Sequence, residues 1–412
     1  MSASDRTIQA NFRLFYFLIF WALGGLSPLL SIYLKEEIRL SGSQIGTLVS
    51  IGPIVMVITQ PIWGMICDWT GRARTVLVTA LLATGGIGLG FLFIDEYIPL
   101  LAVAATLALF QGAIIPISDT LTVNYAMQHR LDYGSFRLWG AVGFAVAGFA
   151  MGWLAERFSL SVIFYGFALT LWLGAASARQ MPGDRVSLQV DLRSGLNRLI
   201  RMPRFVLFLL ATFMVFGPIF ANNTYMGLLF QSSGATVAGV GLGFLLAAGS
   251  EVPFMKMAGA WIRRRGALTV TLFAAGISAL RWVFYFFEPG ILWLYLTSVV
   301  QGLSTGLFIP AALMYVRSLA PEEAKTTAVS LYTAAGIGLG NWFCTLMGGW
   351  ILETFDIFTT YLFFGLLTGI GALILWIVLR LEERGTRGAD PVKSGSTDTK
   401  KDLSQTRGKA FQ

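Results

Sequence analysis

Twelve apolar runs, each near the length needed to cross a bilayer, decide what this chain can become. Their approximate limits are 12–33, 43–67, 75–93, 97–126, 134–156, 159–178, 204–230, 237–261, 267–287, 290–316, 327–352 and 358–381. A helix rises 1.5 Å per residue, so roughly 20 apolar residues span the hydrocarbon core. Lipid offers the backbone no hydrogen bonds, so each run must satisfy its own polar groups by forming a helix. Only 13% of the residues are charged and 55% are hydrophobic, whereas a soluble domain carries about 25% charged residues. The fold class expected is an all-α membrane protein of twelve transmembrane helices. The first run, from Leu14, is followed by a loop with no small-residue cleavage site, and reads as a retained helix.

The polar segments divide the chain. The longest interior one lies between runs six and seven. The expected organisation is a first six-helix half at 1–178, a cytoplasmic central loop at 179–203, a second half at 204–381 and a disordered cytoplasmic tail at 382–412. The tail is rich in Gly, Ser, Thr, Asp and Lys. Lys and Arg set the orientation. With both termini cytoplasmic, inner segments hold 24 of the 30 basic residues, and outer loops hold Lys35, Arg39 and Arg157. The net charge of +8 is thus accounted for by topology. Basic residues scattered over separate loops give no nucleic-acid surface. A plasma or inner membrane location follows.

The halves repeat. Gly152, Trp153, Glu156 and Phe158 recur as Gly349, Trp350, Glu353 and Phe355 at a constant offset of 197, which also relates Gly143 to Gly340. Pro61 and Trp69 recur more weakly as Pro253 and Trp261. Parallel six-helix repeats related by an axis along the membrane normal are a transporter architecture. Glycines at 140, 143, 148 and 152 of run five, and at 336, 338, 340, 348 and 349 of run eleven, let helices pack backbone to backbone. Such surfaces suit helices that rock against each other.

Five ionisable residues lie inside apolar runs away from their ends: Asp119, Arg137, Glu251, Lys256 and Arg281. A charge at the bilayer centre costs roughly 2.5–3.5 kcal/mol on insertion scales. Such groups face a wet cavity or a partner, which points to a solute pathway. Lys256 is near enough to the inner face to snorkel. Further polar groups at membrane depth are Asn222, Asn223, Thr224, Tyr225, Gln60 and Asn341. Two cysteines without a CxxC, and the single His129, imply neither a disulfide framework nor a zinc site. There is no phosphate loop and no nucleophile–base pair, so the chain does not read as an enzyme.

The loop after run two, Gly64-Met-Ile-Cys-Asp68-Trp-Thr-Gly71-Arg72-Ala-Arg74, resembles the G-x-x-x-D-x-x-G-R-x-R/K signature of the major facilitator superfamily. The resemblance assigns Gly64, Asp68, Gly71, Arg72 and Arg74 to a gate. The second copy, Gly259 to Arg265, keeps the basic end and lacks the acid. The segment Tyr133-Gly-Ser-Phe-Arg137-Leu-Trp-Gly-Ala-Val-Gly-Phe144 resembles the helix-five signature of the lactose permease branch. That branch includes phenylpropionate permeases and nucleoside:proton symporters.

The branch implies roles for individual residues. An arginine at the position of Arg137 binds substrate and pairs with an acid on helix four, which here is Asp119. Where lactose permease stacks a sugar on tryptophan, this chain has Phe144, a smaller platform. Glu251 and Arg281 match the proton-coupling network. Gln301 replaces a histidine and can bind substrate without carrying a proton. Asn222 and Asn223 complete the expected binding set.

The function expected is secondary active transport of a small polar organic solute by alternating access, inward and with protons. An aromatic carboxylate or a nucleoside is favoured over a disaccharide. No cofactor is expected beyond the proton as coupling ion, and the partners are the solute and membrane lipids around a monomer. The alternatives are a drug or lipid exporter, and a membrane sensor or scaffold.

Overall fold

The computed structural model of the chain describes residues 3–182, 196–321 and 324–387. Six helices form the first half: α1 (Ala3–Glu36), α2 (Gly42–Thr70), α3 (Ala73–Gly88, prolonged by a 3-10 turn, Leu89–Leu92), α4 (Tyr97–Gln128), α5 (Tyr133–Arg157) and α6 (Val162–Ala178). A short helix, Leu196–Ile200, precedes α7 (Pro203–Ser232), α8 (Val237–Arg265), α9 (Ala267–Phe286), α10 (Ile291–Leu319), α11 and α12 (Ile357–Arg387). Ten of these are long and apolar enough to cross a membrane unbroken, and α6 is shorter. The twelfth span, α11, is composite. Lys325–Thr333 leads into a π-helical segment, Ala334–Gly340, and then Asn341–Thr354. Residues 183–195 of the expected central loop, and 388–412 of the expected tail, lie outside the described residues, while α12 stays helical as far as Arg387.

Sequence chemistry sets the helix ends. Ser41 begins α2 in a capping box: its hydroxyl accepts from Gln44 N and Gln44 Oε1 accepts from Ser41 N. Gly71 ends α2 at φ 61°, a left-handed cap that donates to Cys67 O. Asp132 caps α5 through Gly134 N, and Thr236 caps α8 through Gly239 N. Prolines at 28, 61 and 116 sit inside α1, α2 and α4, and prolines at 218, 253 and 310 sit inside α7, α8 and α10. The same three helices of each half thus carry an interior proline, and α2 carries a second, Pro53. Within a bundle, neighbouring helices can absorb the freed backbone groups.

Packing repeats with the sequence. α1 lies along α5 and α6, and α7 lies along α11 and α12. α2 packs on α4 as α8 packs on α10, and α3 on α6 as α9 on α12. Across the halves, α2 meets α11 and α5 meets α8. These crossings are backbone to backbone. A Cβ on Gly349 would stand 2.7 Å from Gly46 Cα, and one on Gly152 would stand 2.9 Å from Val237 O. Cys67 and Cys344 are buried and free.

The two ends of the bundle differ. The start of α1, the end of α6, the start of α7, the end of α12 and the ends of α2 and α8 share one end of the bundle, here the terminal side. At the far end a single apolar core runs from the first half into the second, through Tyr225, Phe230, Phe244, Tyr285 and Tyr361. At the terminal side the second half has a separate core, built around Phe208, Phe216, Phe308 and Tyr315. The halves are therefore fused at the far end and parted at the terminal side.

Polar contacts lock the far end. Glu353, at the end of α11, accepts from Ser43 N (2.8 Å), Ser41 Oγ (2.7 Å) and Ser43 Oγ at the start of α2. Glu156, at the end of α5, accepts from Ala238 N (2.7 Å) at the start of α8, with the Thr236 hydroxyl beside it. The two glutamates are the repeat-related pair. Each sits on the N-terminus of a helix from the opposite half, where a negative charge is favoured. Gln231 to Glu36 (2.7 Å) and Ser31 to the Thr224 carbonyl (2.6 Å) tie α7 to α1. The neighbouring repeat residues, Trp153, Phe158, Trp350 and Phe355, are exposed, as befits an aromatic belt at a membrane boundary.

Candidate functional site

In the first half, α4 and α5 place Asp119 and Arg137 opposite one another, NH1 to Oδ1 3.6 Å. Their side chains are 31% and 36% exposed, although both lie within apolar helices. The far end is closed, so this exposure reaches the terminal side through the cleft between the halves. Tyr16 of α1 donates to Asp119 Oδ1 (2.7 Å), and Tyr133 neighbours the same carboxylate. The Arg137 guanidinium stacks over the Phe20 ring at 4.3 Å. A cation on an aromatic face keeps its charge while losing water. Phe144 is half-buried on α5, two turns beyond Arg137 on the same stripe. Its backbone lies against α1, where a Cβ on Gly24 would collide with it.

The second half builds a different arrangement. Arg281 of α9 is 5% exposed and Gln301 of α10 is 6% exposed. Arg281 NH1 donates to Gln301 Oε1 (2.9 Å) and to the Tyr285 hydroxyl (3.3 Å). Asn222 Nδ2 of α7 donates to the same Gln301 oxygen (3.2 Å), and Tyr361 of α12 donates to Asn222 Oδ1 (2.7 Å). The Arg281 guanidinium also covers the Trp282 ring at 3.8 Å. Among the described residues no carboxylate pairs with Arg281. Glu251 of α8 is half-buried and makes no hydrogen bond or ion pair among them. The structure therefore does not bring the two expected proton-coupling residues into contact. The reason is packing: Gly302 of α10 presses against the backbone at Ser250 and Glu251, while Arg281 bonds to α10 and its own helix.

The remaining sequence-chosen residues are dispersed. Asn222 is fully buried inside the second half, and Asn223 is half-buried without a hydrogen bond among the described residues. Lys256 and Gln60 are exposed, and Asn341 accepts from Thr345 Oγ1 within α11. His129 is exposed beside Tyr125. The expected gate segment is mostly helical: Gly64, buried, and Asp68, exposed, lie in the last turns of α2, exposed Gly71 and Arg72 form the turn, and exposed Arg74 opens α3. Arg74 donates to the Met181 carbonyl (3.0 Å), tying α3 to the end of α6 inside one half. Sequence reading passed over Tyr16, Phe20, Tyr285 and Tyr361, since an aromatic in an apolar run carries no mark of a polar task. The offset of 197 did single out Glu156 and Glu353, without a role. Among the described residues no group of three His, Cys, Asp or Glu side chains could hold a metal ion.

Comparison with known proteins agrees with this architecture. The MFS_1 like family matches residues 10–363. The chain is 46% identical over 382 residues to a maltose permease of Geobacillus stearothermophilus, covering 92% of this chain and 96% of that one. It is 24% identical to a probable 3-phenylpropionic acid transporter of Escherichia coli, covering 82% of this chain and 89% of the relative. The crystal structure of the nucleoside transporter NupG superposes with a TM-score of 0.78 at 17% identity, over 90% of this chain and 99% of that one. The chain belongs to the MFS_1 like family of the major facilitator superfamily. It is a multi-pass membrane transporter of small polar solutes, not an enzyme, and permeases of this family need no cofactor.

Proposed function

We propose that this protein imports a disaccharide of the maltose class together with protons. The observation that carries the reading is the 46% identity to a maltose permease across nearly the full length of both chains. This turns the choice of solute away from the aromatic carboxylate or nucleoside favoured from the residues alone. The site accommodates the change. Arg137 offers a planar fork of donors, Asp119 an acceptor, and Phe20 and Phe144 flat apolar faces for a sugar ring.

The Lys/Arg bias puts the terminal side in the cytoplasm of a cell whose inner membrane holds a monomer in its lipids. The closed far end then faces out, and the molecule stands inward-open. Residues 1–178 and 204–381 are the two rocking units, 179–203 is their cytoplasmic linker, and 382–412 is a tail. Gly64, Asp68, Gly71, Arg72 and Arg74 form the inner gate that engages when the halves close on the cytoplasmic side. The substrate lies between Asp119, Arg137 and Phe144 on one side and Gln301 with Asn223 on the other, while Asn222, fully buried, backs Gln301 instead of meeting the substrate as expected. Glu251, half-buried and without an ionic partner among the described residues, is the proton carrier, with Arg281 as the fixed charge of the same half.

The test is uptake of labelled maltose into proteoliposomes with and without an imposed pH gradient, with a nucleoside and 3-phenylpropionate as competitors. Accumulation that needs the gradient and resists both competitors is expected. Competition by either one, with no maltose uptake, overturns the sugar reading. Glu251→Gln should keep maltose exchange across equal gradients and lose gradient-driven accumulation. Full accumulation in that variant moves the proton elsewhere.

A further inference from the structure

The polar network of the second half has a direction that its donors and acceptors impose. A guanidinium has no acceptor. The Gln301 atom facing Arg281 NH1 is therefore its carbonyl oxygen. That oxygen receives a second donor from Asn222, so Asn222 must present its nitrogen there and its own oxygen to Tyr361. Tyr361 fits only as a donor. On the other branch, Thr297 gives its hydrogen to the Trp293 carbonyl, so the Tyr285 hydroxyl donates to Thr297 and accepts from Arg281. Every acceptor beside Arg281 is thus engaged. What remains is Gln301 Nε2 and Arg281 NH2, two donors without partners among the described residues. Both keep solvent access, unlike Arg281 Nε, which is sealed. With the far end closed, that access is the cleft.

We propose that Tyr361 is a positioning residue that makes the Gln301–Arg281 patch of this wall donor-only, so that the patch selects a substrate oxygen presenting lone pairs. Tyr361 never meets the substrate. It holds Asn222, which holds the Gln301 amide, which turns its N–H groups to the cleft. The opposite wall carries the acid, Asp119, which accepts. A hydroxyl-rich solute satisfies both walls, because each hydroxyl donates and accepts. A carboxylate satisfies only the Gln301–Arg281 wall. The transport half of the test rests on the sugar reading above, and the spectroscopic half does not.

In protein labelled with 15N at Asn and Gln side chains, spectra of Gln301→Glu and Asn222→Asp identify the two amides. Water exchange of the Gln301 side-chain protons should be at least about tenfold faster than that of the enclosed, bonded Asn222 protons. Equal protection of both amides overturns the proposal whatever the solute. Tyr361→Phe keeps the ring and removes one hydrogen bond. It should raise the KM for maltose about tenfold, with maximal velocity within twofold of wild type. It should also narrow the preference for fluoro- over deoxy-substituted maltose at the hydroxyl facing Gln301. Unchanged KM and unchanged discrimination overturn the positioning role. Fast Gln301 exchange in a wild type that carries no maltose refutes the sugar reading and leaves the network standing.

Discussion

Arg137 and Arg281 carry the same charge into opposite surroundings. The first half gives Arg137 a carboxylate at 3.6 Å, an aromatic face and a third of its surface open. The second half gives Arg281 amide and phenol oxygens, an indole face and almost no opening. A loose, half-hydrated pair can exchange partners with a solute at little cost. A buried cation with every nearby acceptor engaged cannot rearrange, so it acts as a preformed surface. One wall of the cleft adapts and the other is fixed.

The largest effect is expected at Arg137. Arg137→Lys should cost about 100-fold in substrate affinity while the protein still inserts, because an ammonium reproduces neither the fork nor the stacking on Phe20. Calorimetric titration checks it, and wild-type affinity in the variant would remove Arg137 from the site. Arg281→Gln should cost about tenfold in affinity. Its melting temperature should stay within about 2 °C of wild type or rise, since a buried cation without a carboxylate carries a desolvation penalty. A large loss of stability there would mean that Arg281 braces the fold and is no binding surface. The smallest effects belong at the far end, where the halves are alike. Glu156→Gln and Glu353→Gln should each shift the inward-open population by roughly two- to fivefold, the scale of one charge at a helix N-terminus. Distances between spin labels on α2 and α11, or on α5 and α8, would report it. Markedly unequal shifts would extend the asymmetry of the cleft to its latches.

Apolar run length exposed the twelve helices, and the offset of 197 exposed the duplication. Both are properties of single segments. The glycines of α5 and α11 announced close crossings for the same reason, and Gly152 and Gly349 make them across the halves. The site was legible where a charge or an amide broke an apolar run. Asp119 and Arg137 stood out, whereas Tyr16 and Tyr361 are invisible until neighbouring helices show what their hydroxyls reach. Asn222 and Asn223 are adjacent in sequence, yet one joins the sealed network and the other does not. A turn of about 100° per residue separates their directions, and only the positions of α10 and α12 decide which one is used. The break in α11 was hidden because a glycine-rich run reads equally as packing.

That break has a bearing on why only one half owns a substrate arginine in this position. Adding the repeat offset of 197 to 137 lands on Ala334, the first residue of the π-helical segment Ala334–Gly340. A π turn accommodates an extra residue. The helix before it is therefore out of phase, by about 100°, with its counterpart in α5. Gly336 and Gly340 hold that widened turn against α7 through Phe216 and the Phe213 carbonyl. A side chain grafted at 334 would not point where Arg137 points, whatever its chemistry. Duplicated halves can therefore diverge by angular phase alone, and a side chain meant to copy the direction of Arg137 would belong at Thr333, one residue before the position the offset names.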